Sequence, residues 1–136
     1  AILPLKKQEL APLVAKVGLS DTPWLYDPMV TIAKVQAPQL WILGKKDRDA
    51  PSAETARRLA LLRLAGRPIS TAMFPLADHG ILEYELSADG DRVSTRYSEG
   101  YFQLLVDFCG GSPLKSAYGT ARLSIAREGT SGTGHF

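Results

Sequence analysis

Asp47 and His79 are the residues of this sequence whose types and positions best suit acid–base chemistry. Asp47 lies in a polar loop, Lys45–Pro51, directly after the apolar run Gln39–Leu43, and His79 lies in a loop after a second apolar run, Ile69–Phe74. If those runs are parallel strands, both loops emerge at the sheet edge where α/β folds place their ligands. The two side chains can then meet although far apart in sequence. A buried carboxylate on one ring nitrogen fixes an imidazole's tautomer and stabilises the imidazolium formed when the other nitrogen takes a proton. Such a pair is half of a general-base device.

Blander readings stand beside this one. Asp47 could belong to a solvated charge cluster with Lys45, Lys46, Arg48 and Asp49, and His79 could be a capping histidine between Asp78 and Gly80. Asp49 is the alternative acid. Asp78 adjoins the histidine and is expected to support its own loop. Cys109, beside Gly110 and Gly111, has no evident basic neighbour and reads as a half-buried, inert thiol. His135 reads as a terminal residue, and His79, Cys109 and His135 lack metal-ligand spacing, so no metal or cofactor is expected. Gly44-Lys45 has no upstream glycine to make a phosphate loop, and Arg57, Arg58, Arg63 and Arg67 read as a solvated helix face.

The elements that must position the pair follow from periodicity and punctuation. Leu10, Leu13, Val14 and Val17 predict a short helix over Ala11–Val17, and Ser20–Pro23 reads as a turn. Asp27-Pro28 predicts an N-cap and first helical residue, with Met29, Ile32 and Ala33 facing inward. Gln39–Leu43 predicts a strand buried on both faces. Ser52 is the expected cap of a helix running to Ala65, with Ala56, Leu59, Ala60 and Leu64 as its apolar stripe and Gly66 as a left-handed stop. Ile69–Phe74 predicts a second strand, Glu83–Arg96 a loop or frayed hairpin around Ala88-Asp89-Gly90, and Ser98–Phe108 an amphipathic helix. The tail, residues 110–136, is rich in Gly, Ser and Thr except for Ala121–Arg127, whose alternation of Leu123 and Ile125 with Arg122 and Ser124 predicts an edge strand. This order of elements places the chain in the α/β class, with parallel strands flanked by helices.

The 136 residues are 45% apolar and 22% charged, which fits one globular domain. With 16 basic and 14 acidic residues, the net charge of +2 gives no electrostatic case for binding nucleic acid or an anionic membrane. A single cysteine excludes an internal disulfide framework and leaves the redox compartment open. No apolar run approaches a membrane span, and the N-terminus has neither Met nor a signal-peptide layout. The chain is therefore expected to be soluble, and to be processed or part of a longer one.

Two segments carry a family resemblance. Gly44-Lys45-Lys46-Asp47-Arg48-Asp49-Ala50-Pro51 has the form G-x-x-D-x-x-x-P, and Ala77-Asp78-His79-Gly80 has the form A-x-H-G. With the lead-in Asp27–Val35 they resemble the C-terminal half of α/β-hydrolases, especially the dienelactone-hydrolase-like and serine-peptidase-like members. The resemblance is clearest over Trp24–Phe108, within a region 1–109. It implies a partial α/β-hydrolase fold, with one extra strand from the tail, in which Asp47 is the triad acid and His79 the triad base. It would also place Trp24 and Tyr26 near the acyl-binding side.

The family order is nucleophile, acid, base, and no G-x-S-x-G or HGGG-like segment occurs in this sequence. The resemblance thus implies a serine hydrolase of esters, amides or peptides whose nucleophile lies in an upstream half or a partner, so that this chain alone is inactive. The alternative is a stand-alone, non-catalytic module that binds a small ligand or a partner protein through the same cleft. So few strands leave open edges. A missing N-terminal half, a second copy or the tail strand could cover them, and a homo-oligomer, most simply a dimer, is expected.

Overall fold

The structure is a computed structural model that describes residues 27–126 and the single position 12. Apart from Pro12, the helix expected over Ala11–Val17 lies outside the described residues, as do the turn Ser20–Pro23, Trp24, Tyr26, Arg127 and His135. The first described helix, α1 (Pro28–Ile32), starts as the Asp-Pro pair predicts, with the Asp27 carboxylate accepting from Met29 N–H. Met29, Ile32 and Ala33 form its half-buried side.

Strand β1 (Gln39–Gly44), helix α2 (Ser52–Leu64) and strand β2 (Ile69–Phe74) follow as a β-α-β unit. β1 and β2 pair in parallel from Gln39 opposite Ile69 to Gly44 opposite Phe74. The period-2 alternation sends Leu40, Ile42, Ala72 and Phe74 to one face, where they pack with Leu104, Tyr118 and Ala121. Trp41 points to the other face and lines an apolar groove of about 320 Å³ with Met29, Ile32 and Leu59. Helices therefore cover both faces. Phe74, Leu59, Ile69 and Leu104 are fully buried, each contributing roughly 1.5–3 kcal/mol.

Several expectations need correction. β1 is half-buried along most of its length rather than buried on both faces, because it forms one end of the sheet among the described residues. Ser52 does not cap α2: Pro51 holds the cap position without a side-chain bond, and the serine hydroxyl is used elsewhere. Leu64 is 78% exposed instead of completing the apolar stripe. Cys109 is exposed rather than half-buried.

Residues 82–97 form a regular hairpin, β3 (Leu82–Leu86) and β4 (Arg92–Tyr97), with a register shift at Glu83/Tyr84. Weak alternation hid it, since much of the hairpin is exposed on both faces. It joins helix α3 (Tyr101–Cys109) through a stack of Tyr97 on Tyr101, 5.7 Å between ring centroids. α3 begins later than its apolar spacing suggests because Gly100 adopts φ 84°. A Cβ on Gly100 would lie 2.4 Å from the Tyr118 carbonyl carbon, so only glycine lets the tail pass this close.

The tail re-enters the sheet as β5 (Ala117–Tyr118) and β6 (Ala121–Ser124), giving the order β1-β2-β6-β5. β6 pairs antiparallel with β2, so the sheet is mixed rather than parallel, and the expected edge strand is an interior one that ends at Ser124. Tyr118 anchors it by donating its hydroxyl to Asp107 of α3 at 2.7 Å. The architecture is α/β in the general sense. Among the described residues, no helix is long and apolar enough to cross a membrane.

Candidate functional site

Asp47 and His79 meet. Three residues after β1 and five after β2, they stand at the same end of the parallel pair, and His79 Nδ1 lies 2.9 Å from Asp47 Oδ2. Backbone bonds hold the two loops together: Lys45 N–H donates to Phe74 O at 2.9 Å, and Lys46 N–H to Ala77 O at 2.8 Å. The approach is so close that a Cβ on Gly44 would lie 2.0 Å from the Asp78 carbonyl oxygen. The glycine that opens G-x-x-D is therefore the contact point of the Asp47 and His79 loops.

The Asp47 side chain is 5% exposed and both its oxygens are engaged. Oδ1 accepts from Asp49 N–H at 2.7 Å and Ala50 N–H at 3.0 Å, while Oδ2 accepts from the Ser52 hydroxyl at 3.2 Å as well as from the imidazole. Burial pushes this carboxyl upward, but the bonds from Ala50, His79 and Asp49, with the His79 charge, outweigh it and hold the pKa at about 2. Asp47 is ionised at neutral pH. A carboxylate only accepts, so Nδ1 must carry the hydrogen between them, leaving Nε2 as the basic nitrogen of the neutral ring. Hydrogen bonding to Asp47 first, then its charge, with smaller help from Asp49 and Asp78, raises the His79 pKa against a desolvation effect that lowers it.

His79 is the open member, its side chain 61% exposed. Its loop is built by Asp78, whose Oδ1 accepts from Gly80 N–H at 2.9 Å and Leu82 N–H at 3.1 Å, the supporting role expected for it. Ile81 takes φ 58°, a left-handed conformation that costs a β-branched residue roughly 1–3 kcal/mol. Burial of its side chain to 6% exposure and a bond from Ser98 N–H to its carbonyl at 3.0 Å hold it there.

Asp47, Asp49 and His79 offer ligand atoms within 4.8 Å of one another. They make a poor metal centre as arranged, because the Asp47 oxygens are already taken and a cation would have to displace the shared imidazole hydrogen. A groove of about 440 Å³ is lined by Pro38, Pro68, Phe108 and Pro113 at the opposite end of the strands. It is remote from the pair.

Among the described residues, no hydroxyl or thiol hydrogen-bonds to Nε2 of His79. Ser98-Glu99-Gly100 occupies a strand-to-helix turn, the sort of place a nucleophilic serine takes. Ser98 is only 2% exposed, however, its hydroxyl is buried without a partner, and it lacks the strained left-handed backbone of such a turn.

Sequence reasoning overlooked Ser52 as support for Asp47 and Gly44 as the loop contact. Both sit inside the G-x-x-D-x-x-x-P segment or next to it, so a reading for close approaches and acid partners could have found them. Compared with protein-family models, curated proteins and solved structures, the chain matches none.

Proposed function

We propose that this chain carries the acid and the base of a serine hydrolase of esters, amides or peptides, with Asp47 orienting His79 and His79 Nε2 taking the proton of a serine hydroxyl. One observation carries the reading: an ionised, nearly buried Asp47 holds the Nδ1–H of an exposed imidazole whose Nε2 is free to accept. That is the charge and tautomer arrangement a general base needs. Without an aligned nucleophile and oxyanion donors the pair keeps little rate enhancement, so the 136-residue chain by itself does not hydrolyse esters.

The nucleophile comes in this reading from an upstream segment or a partner chain that closes the sheet beside β1. Because Gln39 directs its N–H to Pro68, just before β2, and Lys45 directs its own to Phe74 of β2, alternation turns the N–H and C=O of Leu40 and Ile42 to the other side, where no described strand pairs with them. A homo-oligomer is the second reading. It is favoured by the outer side of α3, where Phe102 and Val106 stay 57% and 65% exposed.

The test is labelling with a fluorophosphonate probe of the protein isolated from its native source, with whatever chain accompanies it. A labelled serine whose labelling is abolished by His79→Gln supports the hydrolase reading. An unlabelled protein overturns it in favour of a non-catalytic binding module.

A further inference from the structure

The hairpin β3–β4 reaches the acid loop through one side chain. Arg92, the first residue of β4, lays its guanidinium 4.0 Å from the centre of the Tyr84 ring and donates Nη1–H to the Lys46 carbonyl at 2.7 Å. Lys46 directly precedes Asp47, and its own N–H is held by Ala77 O of the base loop. The next N–H, that of Asp47, returns to Gly44 O at 3.3 Å. The peptide plane that leads into Asp47 is thus fixed at its oxygen by Arg92 and at its nitrogen by the end of β1. Nothing within the acid loop itself bonds that oxygen among the described residues.

We infer that Arg92 is a positioning residue for the Asp47–His79 pair, locking through the Lys46 carbonyl the peptide that aims the Asp47 carboxylate at Nδ1. The planar stack on Tyr84 pre-organises the guanidinium, which suits arginine better than lysine. Its Nε is buried without a partner, so the side chain accepts an unsatisfied donor while it makes the Nη1 contact. The inference deepens the hydrolase reading and rests on it for its catalytic meaning. The positioning itself is a property of the folded chain.

The two effects of removing Arg92 on His79 have opposite signs, which makes the test decisive. Loss of a nearby cation alone would raise the imidazole pKa, whereas loss of Asp47 alignment would lower it. Asp47, Asp49 and Asp78 are the carboxylates whose charge raises His79, and they are left unchanged. NMR titration of the full chain, with the His79 resonances assigned by His79→Gln, should show Arg92→Ala lowering the His79 pKa by about half a unit or more. Arg92→Lys, which keeps a donor, should recover part of that shift. Where Arg92→Ala fails to fold, Arg92→Gln against Arg92→Lys carries the same comparison. An unchanged or raised His79 pKa in a folded variant overturns the inference while leaving the hydrolase reading standing. Absence of a probe-reactive serine in the native protein overturns the hydrolase reading while leaving the positioning role intact.

Discussion

His79 shares its Nδ1 hydrogen with a carboxylate held at a pKa of about 2, and this fixes how the pair responds to pH. The stability that Asp47 gains is present above its ordinary value of 3.8 and is lost as pH falls through about 2. The stability that His79 gains has the opposite sense: it is present below 6.5 and is lost as pH rises through the raised folded value. The pair therefore stabilises the fold most between pH 3.8 and 6.5. Urea midpoints of the wild type against Asp47→Asn should differ most in that window, narrow only in part as pH rises past the raised His79 value, because the Ala50 and Asp49 bonds to the carboxylate persist, and converge as pH falls through about 2. If the proposed hydrolase function holds, the same substitution leaves a neutral amide that cannot stabilise an imidazolium, and it should lower turnover of the active assembly by roughly three to four orders of magnitude. An activity within tenfold of wild type would remove Asp47 from the acid role.

Between the residues and the sheet stand the loops, and Gly44 is where two of them touch. Gly44→Ala must push the Asp78 carbonyl away, so it should cost about 2–4 kcal/mol in chemical denaturation and return the His79 pKa toward 6.5. A wild-type titration curve in Gly44→Ala would show that the loops tolerate separation. The same loops show what the sequence discloses and what it conceals. Asp-Pro at α1, the apolar run of β2 and the loop order that joins Asp47 to His79 are local signals, set by capping, burial and strand direction, and they could be read directly. Ser52 misled because its type suits a helix cap, while tertiary geometry gives its hydroxyl to Asp47. Arg92 stands 46 positions from its acceptor, a pairing no local pattern encodes. The hairpin was only faintly visible since exposed strands need no apolar alternation.

Across the whole molecule, the tail is part of the sheet. Ala121 and Tyr118 lie in the core, and β6 covers the side of β2 that would otherwise be an edge. Ending the chain after Gly111 should therefore lower stability by more than about 3 kcal/mol and promote association through the bared β2, seen as a lower melting temperature and larger species in size-exclusion chromatography. A truncated chain as stable and as small as the full one would reduce the tail to a surface appendage. β1 keeps its unpaired side among the described residues, with Asp47 and His79 beyond its end, and the proposed hydrolase requires a serine to arrive there. The direct measurement is the pH dependence of fluorophosphonate labelling in the protein from its native source, set beside the NMR titration of His79. With His79 as the base, the labelling rate should rise with pH at the His79 midpoint, above 6.5, and His79→Gln should abolish it. Labelling that survives His79→Gln, or no labelling at any pH, would contradict it.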